Sequence, residues 1–280
     1  MSKNLYENHP TVRKYEDKKI EYEGRDNNTQ EAIGFTRYVD SAGIFMLETN
    51  EKGELTVKIN IRKNGLASGI GGKADYLPND HPSKGNREIL RVTMLRELFE
   101  EVYGNNPAGF LTDLRENIVS GYGYYDNKNT ILTGKIDELI GSETTGDGVI
   151  EFLQDSKFAF LLNRSFVADR FISKYTIADK YGKTQFRQNH FIGKFGTGVG
   201  LGFGEDIEDG QLKGVVFNLP VDMIIANNGE IKLESLREIL PQENYQVLED
   251  MLGDITKIQF NVNTVDNLKL YLKQQQEEQK

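Results

Sequence analysis

Between Asn86 and Gly104 the chain reads NREILRVTMLRELFEEVYG, and its chemistry is concentrated in Arg96, Glu97, Glu100 and Glu101. At about 100° per residue, the three carboxylates fall on one side of a helix. Val92, Leu95, Leu98, Phe99 and Val102 form an apolar stripe on the other. The i,i+4 neighbour of Glu97 is Glu101 rather than a lysine, so the acidic side repels itself. A hard divalent cation with oxygen ligands would relieve that repulsion. A plain solvated amphipathic helix is the alternative reading of the same face.

Such a helix needs a platform, and the flanking sequence predicts one rich in strands. AIGFTRYVD (32–40), AGIFMLET (42–49) and LTVKINIR (55–62) are β-branched and aromatic runs, separated by SAG and by a hairpin-type NEKG turn. A glycine-rich loop, GLASGIGGKADYLPNDHPSKG, then leads into the helix. Further on, ENIVSGYGYYDNKNTILTGKI predicts two strands around an Asn-rich turn, and FAFLLNRSF, KTQFRQNHFIGKF and GVVFNLPVDMII predict single strands. From Lys232 onward, LESLREIL, ENYQVLEDML and TVDNLKLYLKQQQ carry helical spacing. The expected class is α+β, with an N-terminal extension over 1–30, a main domain with insertions over 31–240 and a C-terminal helical segment over 241–280.

Composition narrows the function. A chain of 280 residues with 38% hydrophobic content supports a buried core. A net charge of −9 disfavours attraction to nucleic-acid backbone or anionic membrane, and leaves room for a local basic pocket holding a small phosphorylated ligand. With no cysteine, disulfides, thiolate metal sites and cysteine nucleophiles are excluded. No window approaches the roughly 20 apolar residues of a membrane span, and MSKNLYENHPTVRKYEDKK lacks the apolar run of a secretory signal. A cytoplasmic location is expected.

Glu88, seven intervening residues, then Arg96-Glu97-Leu98-Phe99-Glu100-Glu101 resembles the Nudix box, G-x5-E-x7-R-E-U-x-E-E-x-G-U with U aliphatic, and GIGGKAD resembles the Gly-Gly-Lys loop before it. The match runs from about Gly69 to Gly104 and departs from the pattern twice. Fifteen residues lie between Gly72 and Glu88, so ADYLPNDHPSKG is an insertion of a kind found in family branches resembling isopentenyl diphosphate isomerase. Tyr103 stands where the box has glycine. The resemblance implies a mixed β-sheet sandwiched between helices. It also implies Mg²⁺ or Mn²⁺ held by Glu97, Glu100, Glu101 and the Gly71 carbonyl. Arg96 would orient Glu97, and Glu88 would support the loop or a water, or reach the substrate. Hydrolysis of a phosphoanhydride follows, with divalent ions neutralising the diphosphate and lowering the pKa of a water. Glu97 is taken as the base, with Arg96 and Glu100 beside it in the catalytic group.

The family cleaves ADP-ribose, NADH, dinucleoside polyphosphates, nucleoside triphosphates, nucleotide sugars and capped RNA ends. The expected partner is therefore a small nucleotide, with nucleic acid entering only as a capped or triphosphorylated end, no membrane, and a homodimer admitted. Arg62 and Lys73 are candidate phosphate contacts, and Tyr122 and Tyr124, with Tyr125, are candidates for stacking a base or for plain strand packing. An isomerase lacks its cysteine here. A non-catalytic nucleotide sensor is the second expectation, opposed by the presence of every core box glutamate. The glycines at 196, 198, 200, 202 and 204 fit neither dinucleotide nor Walker A patterns and read as a hairpin or a substrate lid. Glu205 and Asp206 read as solvated loop acids or as a supplementary acid for the site. His9, His81 and His190 show no metal-ligand spacing.

Overall fold

Side chains that alternate between the two faces of the sheet set the strands that carry the site. The computed structural model describes residues 37–75, 88–104, 106–120, 127–165, 170–177, 184–193, 195, 203–208 and 211–278. The expected N-terminal extension, the insertion from Tyr76 to Arg87, the tyrosines at 122, 124 and 125, and all of the glycine tract except Gly204 lie outside them.

Strands β1 (Arg37–Thr49), β2 (Leu55–Arg62) and β3 (Leu66–Lys73) are mutually antiparallel. The described part of the run before SAG and the run after it form the single strand β1, because Ser41, Ala42 and Gly43 pair with β3 without interruption. The NEKG turn is a hairpin as expected: Asn50 Oδ1 accepts from the N–H groups of Lys52 and Glu54, and Gly53 takes a φ of 79°. On β2, Val57, Ile59 and Ile61 enter one core, while Lys58, Asn60 and Arg62 alternate onto the other face. Strand β3 changes partner midway. It pairs with β2 through Ala67–Gly69 and with β1 through Ile70–Lys73, so its edge near Gly71 is free to meet a side chain.

The remaining strands complete a nine-stranded mixed sheet among the described residues. They are β4 (Arg170–Ile177), β5 (Thr184–Gly193), β6 (Gly204–Glu208), β7 (Gln211–Pro220), β8 (Glu230–Lys232) and β9 (Lys257–Phe260). β5 runs parallel to β1 and β9 parallel to β3, and β7 joins the other edge of β2. Helix α1 (Leu90–Leu98) continues into a π-helical turn, Phe99–Tyr103, and is followed by α2 (Pro107–Ser120), α3 (Asn127–Gly141), α4 (Gly146–Gln154) and α5 (Ser156–Ser165). These pack with Ile44, Met46 and Ile70 in one core. Helices α6 (Val221–Ala226), α7 (Gln242–Leu252) and α8 (Val262–Glu278) pack with Phe45, Ile59 and Ile61 in a second. The α+β class with a mixed sheet between helices is what the sequence led us to expect. Among the described residues no helix is long and apolar enough to cross a membrane.

Several segments expected as strands are helices. The described parts of the sequence read as a strand pair around 116–136 belong to α2 and α3, and those of FAFLLNRSF to α5. In α2 the buried Phe110, Leu111, Leu114 and Ile118 follow helical spacing, with Asn106 accepting from the Gly109 N–H at its start. Asp155 starts α5 in the same way, through the N–H groups of Lys157 and Phe158. The run GVVFNLPVDMII divides at Pro220 into β7 and α6. Beyond 241, helices α7 and α8 flank the strand β9, which inserts between β3 and β8.

Candidate active site

Helix α1 is buried nearly all round, with Thr93, Met94 and Arg96 covered as well as Val92, Leu95 and Leu98. The simple division into a packed and an acidic face therefore does not hold. The helix lies between the sheet and α4 and α5; Arg96 and Glu97 turn to the end of β3, at Lys73 and Gly72, and Arg91 donates to the Asn163 carbonyl on α5. The π-helical turn widens the backbone where Glu100 and Glu101 sit, a distortion common at functional positions. Tyr103, at the position of the box glycine, holds that turn in place. Its ring meets Phe110 and Phe195 in the core, and its hydroxyl donates to Asp113 at 2.6 Å.

Arg96 is the organising cation. Its Nε donates to Glu88 at 2.9 Å, its Nη1 to Glu100 at 2.7 Å, and its Nη2 to the Lys73 carbonyl at 2.9 Å. Glu97 Oε1 stands 3.0 Å from Nη2, and Asp75 is 3.4 Å from Nε. This planar fork ties the helix to the loop leaving β3. Glu88, whose side chain is fully buried, also accepts from Gln154 Nε2 and from the Asp75 N–H. Its carboxylate is thus engaged by Arg96, Gln154 and the backbone of the loop leaving β3.

Glu97 reaches the strand because of a glycine. A Cβ on Gly72 would stand 2.2 Å from Glu97 Oε1, so this carboxylate occupies the space of the missing side chain. Glu101 fills the opening where β3 leaves β2: Oε2 accepts from the Gly71 N–H at 3.0 Å, and Oε1 from Asn60 Nδ2 at 3.2 Å and Arg62 Nη2 at 3.5 Å. Gly71 itself, at a φ of 150°, has Gly43 Cα 2.4 Å from where a Cβ would be. Asn60 Nδ2 also donates to Asp206 at 2.8 Å, bringing that residue of β6 to Glu101. Glu205, its neighbour, is exposed.

Burial and crowding raise the proton affinity of these acids. Burial, reinforced by Glu100 and opposed by Arg96, pushes Glu97 up to about 7. Burial, then the Glu97 and Asp206 charges, push Glu101 up to about 8 against the Gly71 N–H and Arg62. Burial likewise raises Glu100 and Asp75. Five carboxylates, Asp75, Glu88, Glu97, Glu100 and Glu101, thus share the guanidiniums of Arg62 and Arg96, while Asp206 beside them is held by the amide of Asn60.

Asn60, Asp75 and Gln154 escaped the sequence reading. The alternation of Lys58, Asn60 and Arg62 with buried aliphatics was the signal that placed Asn60 on the face toward α1, whereas nothing local marks Gln154, 66 residues from Glu88. Lys73 is exposed, and its known link to the network is through its carbonyl. Among the described residues no three acidic or imidazole side chains converge on one point. The donor set still suits a hard divalent ion: it is all oxygen and holds more negative charge than its two arginines offset.

No family model matches the chain, and no curated protein matches it. Among solved structures, the crystal structure of a Nudix hydrolase from Alicyclobacillus acidocaldarius is similar at 14% identity, covering 78% of this chain and 92% of that chain, with a TM-score of 0.33. At that TM-score the likeness leaves the case to the residues themselves.

Proposed function

We propose that the chain is a divalent-metal-dependent hydrolase of Nudix type, cleaving a phosphoanhydride in a nucleoside diphosphate linked to another moiety. One observation carries the reading: the side chains of the box-like spacing meet in space, with Arg96 holding Glu88, Glu97 and Glu100 together and Glu101 fixed on Gly71. Glu97, Glu100 and Glu101, with backbone near Gly71, would hold the metal. When bound, the ion would supply charge neutralisation of the diphosphate and a water of lowered pKa.

The protein's own residues do the rest. Arg96, buried and fully engaged, touches no substrate and positions Glu97. Glu97 takes the proton from water on its carboxylate. Asn60 holds Glu101 and Asp206 side by side, and Arg62 faces the substrate's phosphates with its half-exposed guanidinium.

Turnover of a panel of ADP-ribose, NADH, dinucleoside polyphosphates, nucleoside triphosphates and nucleotide sugars with Mg²⁺ or Mn²⁺ in ¹⁸O-labelled water tests this. One label is expected, in a single product phosphate. Turnover without solvent label would overturn the mechanism. Nucleotide binding without turnover would favour a non-catalytic sensor.

A further inference from the structure

Strand β3 takes one of its backbone partners from 195 residues away. From Gly69 to Gly72 every residue but Ile70 is glycine, so Ile70 is the one side chain of this run that enters a core. Glycine gives a strand nothing to pack and the most conformational freedom to lose. The position of the run therefore depends on its backbone hydrogen bonds. We propose that Thr264 of α8 is a positioning residue for the acidic site, its hydroxyl fixing β3 at Gly69, two residues before the Gly71 N–H that holds Glu101. This rests on the hydrolase reading only for what the site does.

The bond falls where the strand changes partner. Ala67–Gly69 pair with β2 and Ile70–Lys73 with β1, so no single neighbour carries the strand across the step from Gly69 to Ile70. Strand β9 pairs with β3 at Leu66 and Ala67 and ends at Phe260, after which the Asn261 N–H donates to the Ala67 carbonyl at 2.8 Å. The chain then turns into α8, and Thr264 Oγ1 accepts from the Gly69 N–H at 3.3 Å. A helix side chain takes over where the strand ladder stops. Thr264 and Gly69 are both buried, so loss of the hydroxyl would leave the N–H without a partner.

One turn along α8, Asn267 anchors the helix that carries Thr264. Its Nδ2 lies 3.0 Å from His190 Nδ1 on β5, and His190 stacks on Phe45 of β1 with centroids 4.6 Å apart and planes 6° from parallel. Phe45 in turn lies against β3: a Cβ on Gly69 would stand 2.5 Å from Phe45 Cε1. Thr264, Asn267, His190, Phe45 and Gly69 therefore form a closed ring through α8, β5, β1 and β3. Such a ring resists displacement of any one member, and a glycine run cannot do so alone.

What the ring positions lies just downstream. The Gly71 N–H donates to Glu101 Oε2 at 3.0 Å, and Glu97 fills the space that a Cβ on Gly72 would take. If Gly69 shifts, Gly71 and Gly72 shift with it, and both carboxylates lose the contacts that fix them.

Amide exchange read by NMR on the full chain in EDTA tests this without metal or turnover. In Thr264→Val, which keeps the shape and removes the hydroxyl, Gly71 is expected to exchange at least about tenfold faster than in wild type, the scale of one lost buried hydrogen bond. Thr264→Ser should restore the wild-type rate. Val216 and Phe217 of β7, paired with β2, should exchange alike in all three proteins. Calorimetric titration with Mn²⁺ should follow the same order, weaker in Thr264→Val and at wild-type strength in Thr264→Ser. Should Thr264→Val not fold, Thr264→Ala is expected to show the same changes. Unaltered exchange at Gly71 in a folded variant, an equal rise at Val216 and Phe217, or equal and measurable Mn²⁺ affinity in wild type and variant would overturn the proposal. So would failure of both variants to fold, since Thr264 would then serve the fold as a whole. The two readings fail separately: nucleotide hydrolysis with Gly71 exchange unmoved by the variants removes the positioning role alone, and Thr264-dependent exchange without any hydrolysis removes the hydrolase alone.

Discussion

The two ends of the acidic site are built on opposite principles. Around Arg96 every carboxylate has a cationic partner: Glu88 at 2.9 Å, Glu100 at 2.7 Å and Glu97 at 3.0 Å, on one guanidinium that also bonds the Lys73 carbonyl. Around Glu101 two acids, Glu101 and Asp206, share a neutral amide, and the nearest guanidinium is half-exposed and 3.5 Å away. The first end is compensated and rigid. The second is under-compensated, and its cost shows in a carboxyl pushed up to about 8. A buried cluster left short of positive charge suits an incoming cation, and under the proposed function a scaffold and a reactive centre would lie one helical turn apart.

Breaking the compensated end should have the largest effect. Arg96→Ala leaves Glu88 buried without its cation, and loss of one partner of a buried pair costs about 3–5 kcal/mol. Arg96→Lys should recover only part of this, since an ammonium cannot reproduce the fork to Glu88, Glu100 and the Lys73 carbonyl. Urea unfolding measures both, and a loss below about 1 kcal/mol in the alanine variant would mean that Arg96 does not hold this region together.

Next in size is the proposed base, Glu97, which the compensated end holds. Glu97→Gln keeps the shape but removes a charge and a base, and turnover should fall about 10²-fold or more, with substrate affinity less affected. Full activity in this variant would transfer the base to another acid, with Asp206 the next to test.

The helix at the centre was legible because Arg96, Glu97, Glu100 and Glu101 are close in sequence and their spacing is set by local geometry. The platform was legible where alternation was clean, as in β2 and β5. What stayed hidden depends on long-range pairing. Asp206 reads in the sequence as a solvated loop acid or a supplementary acid, and what decides between them, the pairing of β6 with β7 and of β7 with β2, is not local; Gln154 reaches Glu88 only through the packing of α4. The misread helices have a different cause. In TILTGKI and FAFLLNRSF, β-branched and aromatic residues fit a strand as well as a helix over a short window, and tertiary packing of Leu132, Ile136 and Leu162 decides for the helix.

A smaller effect separates the two ends without disturbing the fold. In Gly72→Ala the new Cβ meets only the flexible end of Glu97, at 2.2 Å, so the carboxylate must move while the backbone need not. Turnover should drop about tenfold, within the ~10²-fold that a 1 Å misplacement is capable of, and the melting temperature should change little. A large stability loss with unchanged turnover per folded molecule would show that the glycine serves the strand and not the carboxylate.

The last prediction concerns the pH dependence of stability in EDTA. Glu101 moves from an ordinary value of 4.5 to about 8 in the folded chain, and Glu97 from 4.5 to about 7. A folded-state value above the unfolded one means that the folded protein binds more protons in that window, so stability is fully present below about pH 4.5 and declines as pH rises through about 7 and 8. Denaturation midpoints should therefore fall between pH 5 and 8.5, in contrast to the rise given by carboxylates held in ion pairs. Glu101→Gln removes one of the two titrations and should make the decline shallower. In wild type, added Mg²⁺ or Mn²⁺ should flatten the decline by favouring the charged carboxylates, and in Glu101→Gln the same ions should do less. Parallel pH profiles for the two proteins would show that Glu101 does not carry the excess charge assigned to it, and the contrast between a compensated and an uncompensated end would then fail at its second half.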